Sequence, residues 1–264
     1  MLKDFKYWAG LFDSDGSFDI HPTKRENGNY YLNVCATLYQ KDRTVLDEFA
    51  SYYDAKVFPS KGCYAVRLYG TNANKFMMEI KKHLVVKYGV VDHILKLRKT
   101  TTDNMPATRA GVKASRSIGQ AKVFPSRKWM AGYVDGDGCI HSSYRKKDGV
   151  LEFKLAVVSH VTQMCGLELM QKQFGGRIYS QGDVRKWSVS LSISKGKQVL
   201  GYFSKHLKMK RSQADLVLEC LNSKKHLRRE GATKEGNLLI HKRLQELKST
   251  ATTKRVYPFE EGKL

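Results

Sequence analysis

Two short stretches of this sequence place aspartates where they could bind a metal ion. Residues 8–16 read WAGLFDSDG and residues 130–138 read MAGYVDGDG, so each stretch carries two acids before a closing glycine. Apolar residues three to four positions apart predict that both stretches are helical. Asp15 and Asp137 then fall in the last helical turn, where their carboxylates face the negative end of the helix dipole.

Acids in this position are unfavourable unless a cation neutralises them. The helix dipole disfavours each carboxylate by about 0.3–1 kcal/mol. If the two helices pair side by side, Asp15 and Asp137 also repel each other unless they bind protons or share a cation. A divalent metal removes both penalties, and hard oxygen ligands suit Mg²⁺. A buried helix with an acidic turn explains one stretch alone, whereas two stretches with the same acids favour a metal site.

Small residues four positions apart predict that the two helices pair closely. They are Gly10 and Ser14 in the first stretch, and Gly132 and Gly136 in the second. Such a flat stripe lets a second backbone come unusually near. Gly16 and Gly138 close the stretches and are expected to end the helices as left-handed caps.

A nearly constant offset relates the two halves of the chain. The offset is 122 positions between Gly10 and Gly132. It is 123 positions at three later pairs: the tripeptide KHL at 82–84 and 205–207, Lys87 and Lys210, and Gln40 and Gln163. A repeat this long predicts two half-domains that fold as an internal pseudo-dimer and share one register.

Alternating apolar and polar residues predict four short strands in each half. In the first half, strands flank a turn at Asn27-Gly28, and Cys35 and Thr37 point outward. In the second half, one strand is expected over 187–193. The predicted fold class is α+β, with two pseudo-symmetric αββαββα half-domains forming a saddle of two antiparallel sheets and the paired helices at the interface. The predicted domains are a half-domain at 1–99, a basic linker without a clear period at 100–127, a half-domain at 128–222 and a basic extension at 223–264.

Charge and cysteine content narrow the class of protein. There are 47 lysines and arginines against 25 acids, a net charge of +22, which favours a polyanionic partner, nucleic acid before anionic membrane. Ribosomal-type binding or plain solubility would also explain the charge. Five cysteines without a CxxC pair predict reduced thiols. Without a secretory segment or a long apolar run, the expected protein is soluble and intracellular.

The two aspartate stretches together resemble the paired signature of the LAGLIDADG homing endonucleases, in their two-repeat, single-chain form. The resemblance extends from residue 8 to about residue 220. It implies that the signature helices form the interface between half-domains, and that the eighth motif residue, Asp15 or Asp137, binds the catalytic metal. It also implies help from the carbonyl of the preceding residue, Ser14 or Gly136.

The resemblance further implies the reaction and its helpers. Members of the family hydrolyse both strands of a long DNA site across the minor groove and leave short 3′ overhangs. The residues that match the family's solvent-ordering glutamines and lysines are Gln40, Gln163, Lys87 and Lys210. The implied cofactor is Mg²⁺, with Mn²⁺ as a substitute and Ca²⁺ supporting binding without cleavage. The sixth motif residues, Asp13 and Asp135, are expected to make structural hydrogen bonds.

The outward face of the strands supplies candidate contacts to double-stranded DNA. Strand pairs can enter the major groove and read base edges. The candidates are His21, Thr23, Arg25, Asn33 and Arg67 in the first half, and His141, Ser143, Arg145, Lys154, His160, Lys186 and Ser188 in the second. Because the two sets differ, the expected target is asymmetric. The resemblance to the single-chain form implies that the protein binds it as a monomer.

Three other functions stay open on the sequence. An RNA maturase for a group I intron could use the same scaffold, with intron RNA as its partner. A DNA-binding regulator could be an inactive copy of the fold, although both Asp15 and Asp137 are present. A basic structural protein would leave the paired stretches unexplained.

Overall fold

The computed structural model describes residues 4–24, 26, 30–97, 105–119, 125–223 and 233–253. The first half comprises helix α1 (Phe5–Asp15), strands β1 (Gly16–Lys24) and β2 (Tyr30–Gln40), helix α2 (Arg43–Ser51), strands β3 (Val57–Ser60) and β4 (Cys63–Tyr69), and helices α3 (Gly70–Ile80) and α4 (Tyr88–Lys96). A 3₁₀ turn, Lys81–His83, joins α3 to α4. Helix α5 (Met105–Ala114) and the 3₁₀ turn Ser115–Ser117 follow.

The second half repeats this order of elements. It comprises helix α6 (Arg127–Asp137), strands β5 (Gly138–Arg145) and β6 (Val150–His160), helix α7 (Cys165–Phe174), strands β7 (Arg177–Gln181) and β8 (Val184–Ser190), and helices α8 (Ile193–Phe203) and α9 (Arg211–Asn222). The 3₁₀ turns Val161–Gln163 and Ser204–His206 lie before α7 and α9. Helix α10 (Lys234–Thr253) packs against β5, β6 and α9.

Each half contains one four-stranded antiparallel sheet. The strand orders are β1-β2-β4-β3 and β5-β6-β8-β7, so the two sheets have the same topology. Phe18, Ile20 and Leu38 are buried beneath the first sheet, as the alternation predicts for its inward face. The α+β class with two repeated halves is therefore confirmed.

Helices α1 and α6 pack together with their backbones in direct contact. A Cβ added at Gly10 would lie 1.9 Å from the Trp129 carbonyl oxygen, and one at Gly132 would lie 2.1 Å from that of Tyr7. Both distances are far shorter than atoms can approach, so any larger residue must push the helices apart. The predicted close helix pair is confirmed.

The predicted left-handed glycine caps are wrong. Gly16 and Gly138 have extended backbones, with φ and ψ of −83° and 160° and of −81° and 152°. They are needed for space, because a Cβ at Gly16 would lie 2.4 Å from the Phe12 ring and one at Gly138 would lie 2.4 Å from the Val134 carbonyl oxygen. Each helix therefore runs directly into a strand, and its last aspartate lies at the junction.

The assumption of one constant register is also wrong. Gly16 pairs with Leu38, 22 positions on, whereas Gly138 pairs with Val157, 19 positions on. The second hairpin is three residues shorter, so an equal numerical offset does not mark equivalent positions in the strands.

Three smaller differences concern element boundaries and burial. The segment 100–127 contains helix α5, which packs on α4 and buries Val112. Strand β8 ends at Ser190 rather than at 193, because Ser192 caps helix α8 by accepting a hydrogen bond from the Lys195 amide. Cys35 and Thr37 lie on the outward face of β2 but are buried. The predicted turn at Asn27-Gly28 lies outside the described residues.

Two expectations about the class of protein can be compared with the structure. All five cysteines are free thiols, in agreement with the prediction. No helix in the described ranges combines the length and apolar character needed to cross a bilayer.

Candidate active site at the paired helix ends

Asp15 lies where α1 runs into β1, beside the matching junction of α6 and β5. Its Oδ2 atom accepts a hydrogen bond from Gln40 Nε2 at 2.5 Å. A Cβ added at Gly136 would lie 3.0 Å from the same oxygen, so the carboxylate reaches α6. Burial raises the pKa of Asp15, and the hydrogen bond from Gln40 and the charges of Lys210 and Lys87 offset part of that rise.

Asp137 is the matching acid at the end of α6. Burial, and after it the negative charge of Asp15, raise its pKa to about 7. Two carboxylates in this relation are not both stable as anions at neutral pH unless a cation lies between them. With the backbone carbonyls of Ser14 and Gly136 at the same helix ends, the donors are all hard oxygens, and this donor set fits Mg²⁺ or Ca²⁺.

Replacing Asp137 with asparagine is expected to stabilise the metal-free protein at alkaline pH. A carboxyl whose folded pKa lies above its unfolded value near 3.8 makes folding less favourable as the pH rises through that interval. The melting temperatures of the native protein and of Asp137→Asn, measured in EDTA, should therefore agree near pH 4, and the variant should melt higher near pH 8.

Asp183→Asn is the matched control, because this exposed acid lies in the turn between β7 and β8. The melting temperature of Asp183→Asn should not rise above that of the native protein as the pH increases. Added Mg²⁺ should raise the melting temperature of the native protein more than that of Asp137→Asn. Equal melting temperatures for native protein and Asp137→Asn at pH 8 in EDTA would show that burial and the charge of Asp15 do not raise the pKa of Asp137.

Lys87 lies between α3 and α4 and closes the end of α1. Its Nζ atom donates hydrogen bonds to three backbone carbonyls, those of Phe12 at 2.8 Å, Ser14 at 2.8 Å and Gly16 at 2.6 Å. Burial lowers the pKa of Lys87, and the negative charges of nearby aspartates oppose that change. The ammonium group thus holds the helix-to-strand junction and adds positive charge beside Asp15.

Lys210 has the corresponding place at the end of α6. Its Nζ atom donates to the carbonyl oxygens of Asp135 and, at 3.3 Å, of Gly136. Burial lowers its pKa, while Asp135 and Asp15 act in the opposite direction. The structure therefore brings both predicted lysines to the paired helix ends.

Asp13 and Asp135 fix the segments that carry these lysines. Asp13 accepts hydrogen bonds from the amides of Val85 and Lys87, each at 2.7 Å, and from Trp129 Nε1 at 2.8 Å. Asp135 accepts from the amides of Lys208 at 2.7 Å and Lys210 at 2.9 Å, and from the Tyr7 hydroxyl at 2.8 Å. The expected structural hydrogen bonds are confirmed, and each aspartate also binds an aromatic residue of the opposite helix.

Gln163 is not placed like Gln40. It ends the 3₁₀ turn after β6, and its backbone carbonyl accepts a hydrogen bond from Ser159 Oγ at 3.0 Å. Within the described residues, its side chain makes no hydrogen bond to Asp137 like the one that joins Gln40 to Asp15. The structure thus joins only one of the two predicted glutamines to a signature acid.

A cavity of about 540 Å³ opens beside Asp15. Gln40, Gly136 and Lys210 line it. Lys248 of α10 also lines this space, so the basic extension contributes a cation that the sequence patterns did not assign to the site. A phosphate group could enter here and meet both the carboxylate and the lysines.

The candidate DNA contacts of the first half share one face of its sheet, here called the first groove face. Strand pairing places His21 opposite Asn33, and alternation along β1 adds Thr23. Arg67 pairs with Thr37 on the same face. His21 and Thr23 are exposed. Arg25 lies outside the described residues.

Arg67 is held rigidly on this face. Its Nε atom donates to Thr37 Oγ1 at 3.1 Å, and its two Nη atoms donate to the hydroxyls of Tyr69 at 2.8 Å and Tyr39 at 3.3 Å. The guanidinium also lies over the Phe58 ring, 5.7 Å from its centre. These contacts explain why Thr37 is buried beneath Arg67, and they hold the guanidinium on the first groove face.

The candidates of the second half likewise share one face, here called the second groove face. The pairs His141–Lys154 and Lys154–Ser190 set the register. Alternation then places all seven predicted residues on this face: His141, Ser143, Arg145, Lys154, His160, Lys186 and Ser188. Arg145 also forms a salt bridge with Asp148 at 2.9 Å.

Four further residues share the groove faces and were not predicted. Tyr39 and Tyr69 lie beside Arg67, and Arg177 and Tyr179 pair with Ser188 and Lys186. Alternation continued along β2, β4 and β7 was the signal that could have found them. Basic and aromatic side chains on one strand face suit phosphate contact and base stacking.

Comparison with known proteins identifies the fold. Residues 130–218 match the family described as LAGLIDADG endonuclease. The meganuclease I-AabMI bound to uncleaved DNA has a TM-score of 0.68 and 19% identity, with 92% of this chain and 98% of that chain covered. The homing endonuclease I-GzeII in complex with a DNA target gives 0.69 and 15%, covering 96% and 100%. I-SmaMI bound to uncleaved DNA with calcium ions gives 0.66 and 14%, covering 93% and 98%. The predicted fold is thus confirmed, and the family match includes the second aspartate stretch, residues 130–138.

Proposed function

We propose that this chain is a site-specific double-strand DNA endonuclease. Two findings support the proposal: residues 130–218 match the LAGLIDADG endonuclease family, and the fold is that of the two-domain meganucleases. The chain acts as a monomer on a long asymmetric site and cuts both strands across the minor groove, leaving short 3′ overhangs. The observation that carries the proposal is the meeting of Asp15 and Asp137 at the ends of two helices packed backbone to backbone.

The proposed cofactor is Mg²⁺, held by Asp15, Asp137 and the carbonyl oxygens of Ser14 and Gly136. When bound, it would supply Lewis acidity and activate water for attack. Mn²⁺ is expected to substitute, and Ca²⁺ to support binding without cleavage. The Ser14 carbonyl already accepts a hydrogen bond from Lys87, and its second lone pair is available for a metal.

Cleavage of each strand consumes one water molecule. The water oxygen forms a bond to phosphorus, the bond from phosphorus to the leaving ester oxygen breaks, and one water proton ends on that oxygen. Negative charge builds up on the phosphate, and Lys87 and Lys210 provide nearby positive charge. Because all three ammonium protons of Lys87 point to backbone carbonyls, it acts as a fixed charge rather than as a proton donor.

Binding to DNA is expected to weaken steeply with salt. For a protein that makes six to ten phosphate contacts, affinity falls about 10³- to 10⁵-fold between roughly 50 and 200 mM salt. Lys186→Gln, on the second groove face, should lower the slope of log affinity against log salt by about one, measured by fluorescence anisotropy. Lys197→Gln, on helix α8 behind the sheet, should leave the slope unchanged. An equal effect of the two variants would contradict the assigned DNA face.

The proposed function is tested by selecting bound duplexes from a randomised library in Ca²⁺ and then adding Mg²⁺. Cleavage of both strands a few bases apart would support the endonuclease and would also give its target. Tight, specific binding without Mg²⁺-dependent cutting would instead favour the non-cleaving regulator or the maturase. A group I intron RNA would then be the next substrate.

A further inference from the structure

The two catalytic centres differ at the residue that supports the signature acid. Counting two positions on from the pairs Gly16–Leu38 and Gly138–Val157 makes Ser159 the structural equivalent of Gln40. A serine hydroxyl is shorter than a glutamine amide, so it does not reach as far from the strand. The pseudo-symmetry of the fold is therefore broken at this position.

The hydrogen bonds of these two residues differ accordingly. Gln40 Nε2 donates to Asp15 Oδ2 at 2.5 Å. Ser159 Oγ donates instead to the backbone carbonyl of Gln163 at 3.0 Å. One signature carboxylate is thus oriented by an amide, and the other has no such partner among the described residues.

The surroundings of Gln40 also differ from those of the turn that follows Ser159. Gln40 and the next two residues line the cavity beside Asp15. The corresponding turn, Val161–Gln163, packs against the 3₁₀ turn Ser115–Ser117 that follows α5. A Cβ at Gly119 would lie 2.4 Å from Cys165 Sγ, which shows how closely this part of the chain covers the start of α7.

We infer that the two DNA strands are cut one after the other, and that the strand served by the Asp15 centre is cut first because Gln40 orients that carboxylate. The inference rests on the proposed function. Gln40 is a positioning residue, since it acts through Asp15. Misplacement of a reacting group by about 1 Å can cost about 10²-fold in rate, so a difference of about tenfold or more between strands is expected. Each cut consumes one water and breaks one ester bond, and nicked duplex accumulates between the two.

The test uses a supercoiled plasmid carrying the selected site and a duplex with each strand labelled separately. With Mg²⁺, nicked circles should rise before linear DNA, and one labelled strand should be cut at least about tenfold faster. Gln40→Ser should slow that strand until the two rates are similar, so that nicked circles no longer accumulate. Ser159→Gln should narrow the difference by speeding the slower strand.

Folding and binding are followed in parallel, so that a damaged variant is recognised. Melting temperature, duplex affinity in Ca²⁺ and Ca²⁺ affinity by calorimetry should show that Gln40→Ser remains folded and binds DNA. Gln198→Ser, on the exposed face of α8, is the matched control and should cut like the native protein. Equal cutting of both strands by the native protein, or slowing of the slower strand by Gln40→Ser, would overturn this inference alone. Failure to cut either strand would overturn it together with the proposed function.

Discussion

Replacing Asp15 with asparagine is expected to lower double-strand cleavage by about 10³-fold or more, because several kcal/mol of charge stabilisation is lost. Asparagine has nearly the same shape and can still bond to Gln40 after its amide is turned, so the helix junction should persist. It lacks the negative charge that would hold a divalent cation between α1 and α6. Asp137→Asn should have the same effect on the final double-strand product.

The measurement is a time course of linear product from the selected target in Mg²⁺, with duplex affinity in Ca²⁺ measured alongside. Affinity should stay close to native, since the groove faces are unchanged. Asp47→Asn is the control, because this acid bridges to Arg43 on the exposed side of α2. Native rates of linear product from either signature variant would contradict the metal-acid assignment.

The paired acids and the helix pairing could be predicted because both follow from local spacing. Small residues four positions apart predict close helix packing, and acids at a helix end predict a bound cation, without reference to the rest of the chain. The extended conformation of Gly16 and Gly138 could not be predicted in the same way, since a glycine suits both a left-handed cap and a crowded straight junction. The crowding that identifies the straight junction comes from the Phe12 ring at Gly16 and from the Val134 carbonyl oxygen at Gly138, and it is visible only in the folded structure.

The two predicted glutamines show where numerical repeats fail. Gln40 and Gln163 are 123 positions apart, as are the two lysines, yet a shorter hairpin and an added 3₁₀ turn separate them in space. Lys87 and Lys210 do occupy equivalent positions, because each lies just before the last helix of its half, beyond both changes. The backbone amide of each lysine donates to a buried aspartate. A match in offset is therefore evidence of equivalent position only where the preceding insertions and deletions nearly cancel, as they do before the lysines.

The linker and the groove faces show the limits of periodicity. Helix α5 has a weak pattern because α4 covers only part of it, with Val112 buried. Arg67 contacts Tyr69 on its own strand β4, but Tyr39 lies on β2, so the contact with Tyr39 depends on sheet register rather than on spacing along the chain. Such contacts required the three-dimensional structure.

Gly10→Ala and Gly132→Ala are each expected to destabilise the protein by about 3 kcal/mol or more, since overpacking against a backbone cannot be relieved by a rotamer change. The added methyl at Gly10 would lie 1.9 Å from the Trp129 carbonyl oxygen. Separating α1 from α6 would also disturb the hydrogen bonds of Trp129 to Asp13 and of Tyr7 to Asp135. For a chain of this size, melting should fall by about 6 °C or more.

Gly201→Ala is the matched control, because it makes the same chemical change within helix α8. A Cβ there meets no atom within 4 Å, and alanine should stabilise this helix by about 0.5–1 kcal/mol relative to glycine. Replacement of glycine by alanine should thus lower the melting temperature at Gly10 and Gly132 and raise it at Gly201. A neutral Gly132→Ala would mean that α1 and α6 are not in backbone contact. In that case Asp15 and Asp137 would lie too far apart to share one metal, so the close packing of two small-residue helices is a precondition of the proposed chemistry.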